Sequence, residues 1–358
     1  MIYLFVFFFV TFYLYFVEKY TSPKFIKQFI LWLPAFVVFV FFPAMQSGVG
    51  TDYETYFQYF FNHDHDLYLK KNEILYFYII EFSNFFGDPQ VQFIIVSVIQ
   101  GFLFFLLLYL LKQNGYKAWL IFLIYFLCTG MYHNQMNGLR QYICIYIVPI
   151  LAIFAYKNKF ISLFNFSFIS FFIHASSLMS SVLIIIFKRL NNFTLYKKNI
   201  LFFIFLLTAP IYFIDFKSIF ISALEFFNLR FISYMDTRYV EGAGYSKIIT
   251  KFYYLPIVLL FWFYYLRDNK SDTGMNHFFI LIFSFTYFMF LQSLSFELML
   301  RVWSYFNFFL IFPIYYVLQR SSNLTFFLIL IYFLIFYIVK VLIFPVAEYE
   351  YHFYSDWF

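Results

Sequence analysis

The sequence predicts an all-α, polytopic integral membrane protein of about twelve transmembrane helices, and three observations carry that reading. Of 358 residues, 64% are hydrophobic and 12% charged, about half the charge of an ordinary soluble chain. At roughly 20 residues per crossing, this apolar content is material for about eleven spans. The apolar residues also come in runs, separated by Pro, Gly or charged punctuation. A water-soluble enzyme is excluded, and so is a disordered chain, which needs low hydrophobicity.

Taken in order, spans are expected near 1–17, 25–43, 90–111, 118–132, 138–156, 160–173, 175–187, 200–216, 248–266, 278–293, 300–318 and 323–344. Met1–Val17 has no basic leading region and no small-residue cleavage pattern, so it reads as an anchor. The spans make one transmembrane helical domain over 1–358, with long outer loops near 44–89 and 217–247. Residues 160–187 admit one long helix or two short ones. Ser167, Ser170, His174, Ser177 and Ser181 follow a 3-4-3-4 spacing, which suits a continuous polar stripe. A single crossing, however, moves Lys188, Arg189, Lys197 and Lys198 to the wrong side. Two short helices meeting near His174 are therefore expected, with protein or a cavity around the break.

Orientation follows from charge. One set of connections holds 14 basic residues, from Lys19 to Arg320, against the three acids Glu18, Asp268 and Asp272; the opposite side holds 10 basic and 15 acidic residues. Cytoplasmic loops collect Lys and Arg, so the first set is expected inside. Both termini and both long loops then lie outside.

The polar groups worth weighing are on that outer side. Gly48-Val49-Gly50-Thr51-Asp52-Tyr53-Glu54 follows the second span. Its glycines permit a tight turn, and Thr51 or Asp52 suits the cap of a short interfacial helix with Tyr53, Tyr56, Phe57 and Phe60. At the outer end of the fifth span, His133, Asn137, Arg140 and Gln141 are spaced to share a helical face. Guanidinium binds phosphate through forked donors and keeps its proton. His174 suits proton transfer near neutral pH, although Ser170 or Ser177 are ready partners for a merely structural histidine. Arg230, Tyr234, Asp236, Arg238 and Glu241 mark the second outer loop. Glu297 and Arg301 are spaced to pair along one helix, which weakens Arg301 as a phosphate ligand.

Three tempting signals are read plainly. The 64 Phe and 35 Tyr are taken as lipid-facing and core rings rather than a sugar-stacking surface. His63-Asp64-His65-Asp66 brings only two ligands to one side of an extended segment, so no metal is expected. Cys128 and Cys144 lie in apolar runs and imply neither a disulfide framework nor a zinc site. No cofactor is expected, and basic residues scattered between spans exclude nucleic acid as a partner.

Gly50-Thr51-Asp52-Tyr53-x-x-Tyr56, then Leu139-Arg140-Gln141 opening a span, then Phe172-Ile173-His174-x-Ser176, resembles the EpsG/Wzy group of polysaccharide polymerases. Arg230-Phe231-Ile232-Ser233-Tyr234 is similar to a further short family segment. The likeness is best over about 45–187 and thin beyond 235; Cys144 departs from it where a smaller residue is expected. The resemblance implies a GT-C-type membrane glycosyltransferase. Such an enzyme joins undecaprenyl-diphosphate-linked oligosaccharide units on the outer face of the bacterial inner membrane, among membrane lipid, with a chain-length regulator as a candidate partner. It further implies Asp52 as catalytic base with His174 positioning. Arg140, Gln141, Asn137, Arg230, Tyr234, Arg301 and Tyr53 would hold diphosphate and sugar. Two other classes compete: a lipid-linked oligosaccharide flippase, which should carry charges near the midplane between related halves, and a polysaccharide O-acyltransferase, which needs a site for its acyl donor.

Overall fold

The structure is a computed structural model that describes residues 1–61, 65–194, 197–218, 221–222, 241–268, 274–345 and 347–354. The described residues are helical, with one isolated bridge between Gln46 and Phe353 and no strand. Among the described residues, six helices are long and apolar enough to cross a membrane: Phe25–Ala44, Gln90–Lys112, Leu139–Tyr156, Ile248–Arg267, Gly274–Leu294 and Asn323–Ile343. Leu298–Ser304 and Asn307–Arg320 form a pair bent by 58°, and further apolar helices, among them Ile2–Val17 and Phe160–Ile173, are shorter. The chain is a multi-pass helical membrane protein.

It divides into two compact units, Met1–Val182 with Ser321–Phe358, and Leu183–Arg320. The first unit opens with α1 (Ile2–Val17), which buries Tyr3, Val6, Phe7, Val10 and Leu14. Those positions recur every three or four residues, so one stripe of the helix faces protein and the rest faces outward. α2 (Phe25–Ala44) buries Gln28, Trp32, Ala35 and Phe39 in the same rhythm. Its partner is α6 (Gln90–Lys112), where Gly101 lets the Val40 side chain come so near that a Cβ would collide with it.

The stretch 44–89, expected as an outer loop, carries three helices: α3 (Tyr53–Phe61), α4 (Asp66–Lys70) and α5 (Ile74–Phe86). α3 contains the anticipated Tyr53, Tyr56, Phe57 and Phe60; α5 is an apolar helix in place of the expected loop. Its 13 residues fall short of a spanning length, which is why a search for spans passes over it.

The expected span near 118–132 is broken. α7 (Ala118–Ile124) runs into a π-turn at Tyr125–Thr129; Gly130, at φ +66°, then starts α8 (Met131–Asn137). A second break at Gly138 precedes α9 (Leu139–Tyr156), which is buried on nearly every side. Gln100 of α6 donates to the carbonyls of Gln135 and Leu139 at 3.3 and 2.9 Å. It thereby serves backbone acceptors at a break that lipid would leave unpaired. The break also corrects the expected shared face. His133 turns away from Arg140 into an aromatic cage, stacked on Tyr3 at 4.3 Å, with the Tyr337 hydroxyl 3.0 Å from Nε2.

α10 (Phe160–Ile173) and α11 (Ser177–Thr194) are separate helices that break at His174, where the chain turns extended at φ −152°, ψ 104°. This is the break expected from the sequence.

The two ends of the first unit are tied separately. Ser47 N–H donates to His352 O at 2.9 Å, Tyr354 N–H to Met45 O at 2.9 Å, and the Tyr3 hydroxyl to Glu348 O at 2.8 Å. At the far end Lys112 pairs with Glu18 at 3.2 Å, and Gln113 donates to Ser22 O at 3.0 Å. In the second unit, Asp268 accepts from Arg320 and Tyr316, both at 2.7 Å.

Candidate functional site

Glu73 organises the polar centre of the first unit. It stands in the turn Lys71-Asn72-Glu73 between α4 and α5. Asn72 takes φ +60°, a left-handed conformation that Asn tolerates better than most residues. Glu73 N–H donates back to Tyr68 O at 2.8 Å, and the turn aims the side chain inward. One carboxylate oxygen, Oε2, is ion-paired with Arg140 of α9; the other, Oε1, lies 2.7 Å from Nδ1 of His174 at the α10–α11 break. The side chains of Glu73, Arg140 and His174 are 4%, 17% and 20% exposed.

A carboxylate this buried survives only with partners. Burial pushes the Glu73 carboxyl up, but the His174 hydrogen bond and the charges of Arg140, His174 and Lys71 outweigh it and hold it below the ordinary carboxylate range. Lys71 is pushed the other way: burial and the Arg140 charge lower its ammonium, against the pull of Glu73.

Arg140 is boxed by rings. Its guanidinium carbon lies 4.5 Å from the centroid of Tyr68, 5.4 Å from Tyr76 and 6.0 Å from Tyr56. Such contacts favour a desolvated cation by up to about 2 kcal/mol each. Its Nε is buried with no hydrogen-bond partner. Glu73 therefore leaves Arg140 with donor capacity for a further anion.

Next to this group, Asn137 at the end of α8 holds the start of α3. Its Oδ1 accepts from Asp52 N–H at 2.8 Å and from the Thr51 hydroxyl at 3.4 Å. Gly50, at φ +80°, passes so close that a Cβ would sit 2.6 Å from that oxygen. Asn137 thus replaces the usual N-terminal cap of α3 with a side chain from another helix. Electrostatically the two parts meet at Tyr56. Burial pushes its phenol up and Arg140 pulls it down, while Asp52 and Glu73 both add to the rise.

The serine stripe does not hold His174. Ser177 Oγ donates to Ser170 Oγ at 3.0 Å, and Ser180 Oγ to Ser177 O at 2.6 Å; the imidazole turns to Glu73 instead. Of the other expected site residues, Tyr53 is buried and stacked on Phe93 at 4.8 Å. Gln141 is half-buried on α9. Arg301 lies on Leu298–Ser304 in the second unit, where Glu297 N–H donates to Glu241 O at 2.9 Å. Arg230 and Tyr234 fall outside the described residues. So do His63 and Asp64, while His65 pairs with Glu81 at 2.5 Å. Sequence reasoning missed Glu73. Its one signal was an acid after Lys70-Lys71, directly before the apolar run 74–80.

A multi-pass helical protein that buries an arginine–carboxylate–histidine group is a membrane protein with a built polar site. The EpsG family model matches residues 29–355, nearly the whole chain, and the chain belongs to that family, a family of Wzy-type polysaccharide polymerases. No curated protein and no solved structure matches it.

Proposed function

We propose that this chain is a GT-C-like membrane glycosyltransferase, one transmembrane domain of about twelve crossings. It would join undecaprenyl-diphosphate-linked oligosaccharide repeat units on the outer face of the bacterial inner membrane. The observation that carries this reading is the convergence of Arg140 and His174 on one buried carboxylate, in a chain of a polysaccharide polymerase family. The reaction needs an anion site for the departing diphosphate and an acceptor for one proton, and these two residues have those chemistries. A flippase needs charges that serve both membrane faces in turn, and an acyltransferase needs a place for its acyl donor; neither need accounts for this group.

In the proposed reaction the acceptor hydroxyl attacks the anomeric carbon of the growing chain. The new C–O bond forms as the bond to phosphate breaks, the electron pair leaves on the diphosphate, and the hydroxyl proton passes to the base. Arg140 neutralises the leaving diphosphate. Asn137, Gln141 and Tyr53 hydrogen-bond the sugars.

Three groups compete for the proton: Asp52, His174 and Glu54. The family resemblance puts Asp52 first. The geometry favours His174, because a carboxylate on Nδ1 orients an imidazole and stabilises its protonated form. We therefore assign the proton to His174 and acceptor binding to Asp52. The test is polymer length from purified lipid-linked repeat units in reconstituted membranes, followed against pH. His174→Gln should abolish extension at every pH, whereas Asp52→Asn should raise KM for the acceptor. Normal extension by His174→Gln, with Asp52→Asn inactive, would restore Asp52 as base; translocated or acylated units without longer chains would remove the polymerase reading.

A further inference from the structure

Glu73 has one oxygen on Arg140 and the other on His174, and a polymerase would use those partners for different substrates. Resting on the polymerase function, we propose that Glu73 is a positioning residue that couples the two halves of the site. The donor diphosphate displaces Glu73 from Arg140, and the released carboxylate then serves His174 alone and strengthens it as base.

Three features support the exchange. A diphosphate carries more charge than a carboxylate and matches the guanidinium fork, so it can compete for Arg140. The buried, unpartnered Nε of Arg140 gives it a donor to engage before Glu73 has left. And Glu73 sits in a short turn, not inside a helix, so its side chain can follow His174 without moving a span.

Glu73 contacts His174, and Arg140 and Lys71 act on that carboxylate; Cys144 of α9 meets the His174 backbone, and Tyr56, Tyr68 and Tyr76 border Arg140. Lys71 also acts on Glu73, and it stays when the diphosphate arrives. The change at His174 is therefore that the arriving anion neutralises Arg140's opposing positive charge. A gain of about tenfold in proton affinity corresponds to one pKa unit.

The experiment uses the full-length protein in lipid nanodiscs, with undecaprenyl diphosphate as the binding probe and lipid-linked repeat units for turnover. In the wild type, the acid limb of kcat, which reports the loaded enzyme, should lie about one pH unit above that of kcat/KM, which reports the free enzyme. Glu73→Gln removes the internal competitor while keeping a hydrogen-bonding side chain. It should bind undecaprenyl diphosphate severalfold more tightly, turn over more slowly, and move the acid limb of kcat to lower pH. Glu73→Asp should recover part of the wild-type rate. A merely structural glutamate predicts the opposite for binding, which should weaken. Coincident limbs in the wild type, or unchanged or weaker probe binding by Glu73→Gln, overturn the coupling while leaving a working polymerase. A wild type that neither binds the probe nor extends the glycan overturns the polymerase reading, and the coupling with it.

Discussion

Arg140 and His174, on different helices of the first unit, hold opposite oxygens of the same carboxylate. The arginine is the second residue of α9, just after the Gly138 break, and the histidine stands where α10 ends. Cys144 Sγ lies 3.3 Å from Ser170 O, so α9 and α10 run side by side at this level and bring the two residues level with Glu73.

Arginine at position 140 should be irreplaceable by lysine. Arg140→Lys keeps a charge for Glu73 but loses the fork, so the protein should accumulate normally while surface glycan remains at one repeat, without a ladder on a gel. Arg140→Ala leaves a buried carboxylate short of its main cation, at a cost of about 3–5 kcal/mol, and should reduce the amount of folded protein in the membrane. A normal ladder from Arg140→Lys would remove Arg140 from the diphosphate site.

Gly50 is expected to tolerate no side chain. Gly50→Ala must place a Cβ 2.6 Å from Asn137 Oδ1 at φ +80°, and the left-handed backbone alone costs about 1–2 kcal/mol. Asn137 cannot retreat without releasing the Asp52 amide. Gly48→Ala, at φ +62° with open space around its Cβ, bears only the backbone strain. Thermal unfolding in detergent should rank wild type above Gly48→Ala above Gly50→Ala; equal loss from both variants contradicts the close approach.

Acid should weaken the first unit through Glu73. Its carboxyl is held below the ordinary carboxylate value in the folded protein, so the unfolded chain takes up the proton first. The stabilisation is complete above the ordinary carboxylate pKa of about 4.3 and is lost as pH falls through the lower folded value. Melting temperature measured from pH 7 to pH 3 should therefore drop more in the wild type than in Glu73→Gln. Parallel curves would show that Glu73 contributes nothing to acid sensitivity.

Opposite ends of the first unit should label from opposite sides. Ser47 is tied to His352 at one end, and Asn158 follows α9 in an exposed turn. Ser47→Cys should react with a membrane-impermeant thiol reagent added to intact cells, and Asn158→Cys should react only after permeabilisation. Reversed labelling would invert the orientation derived from the Lys and Arg count.

Composition and run length determined the class of this protein and most of its helix segmentation, because hydropathy and the residues that interrupt it act over a few neighbouring positions; the break at His174 followed from the side on which Lys188, Arg189, Lys197 and Lys198 must lie. The sequence also marked Arg140 and His174, polar residues against apolar runs, and Asp52 and Asn137, within short polar segments that interrupt such runs. Only the tertiary structure decided how these combine. Asn137 shares α8 with His133 but binds the Asp52 amide, and the Gly138 break parts both from Arg140 of α9. The serines bond to one another, and the carboxylate that joins Arg140 to His174 comes from a turn whose sequence resembles solvated loop. Glu73 is 67 residues from Arg140 and 101 from His174. A contact across such distances leaves no periodic trace in the sequence; it arises because packing α5 against α6 and α10 carries that turn into the bundle, where a buried carboxylate must find its cations.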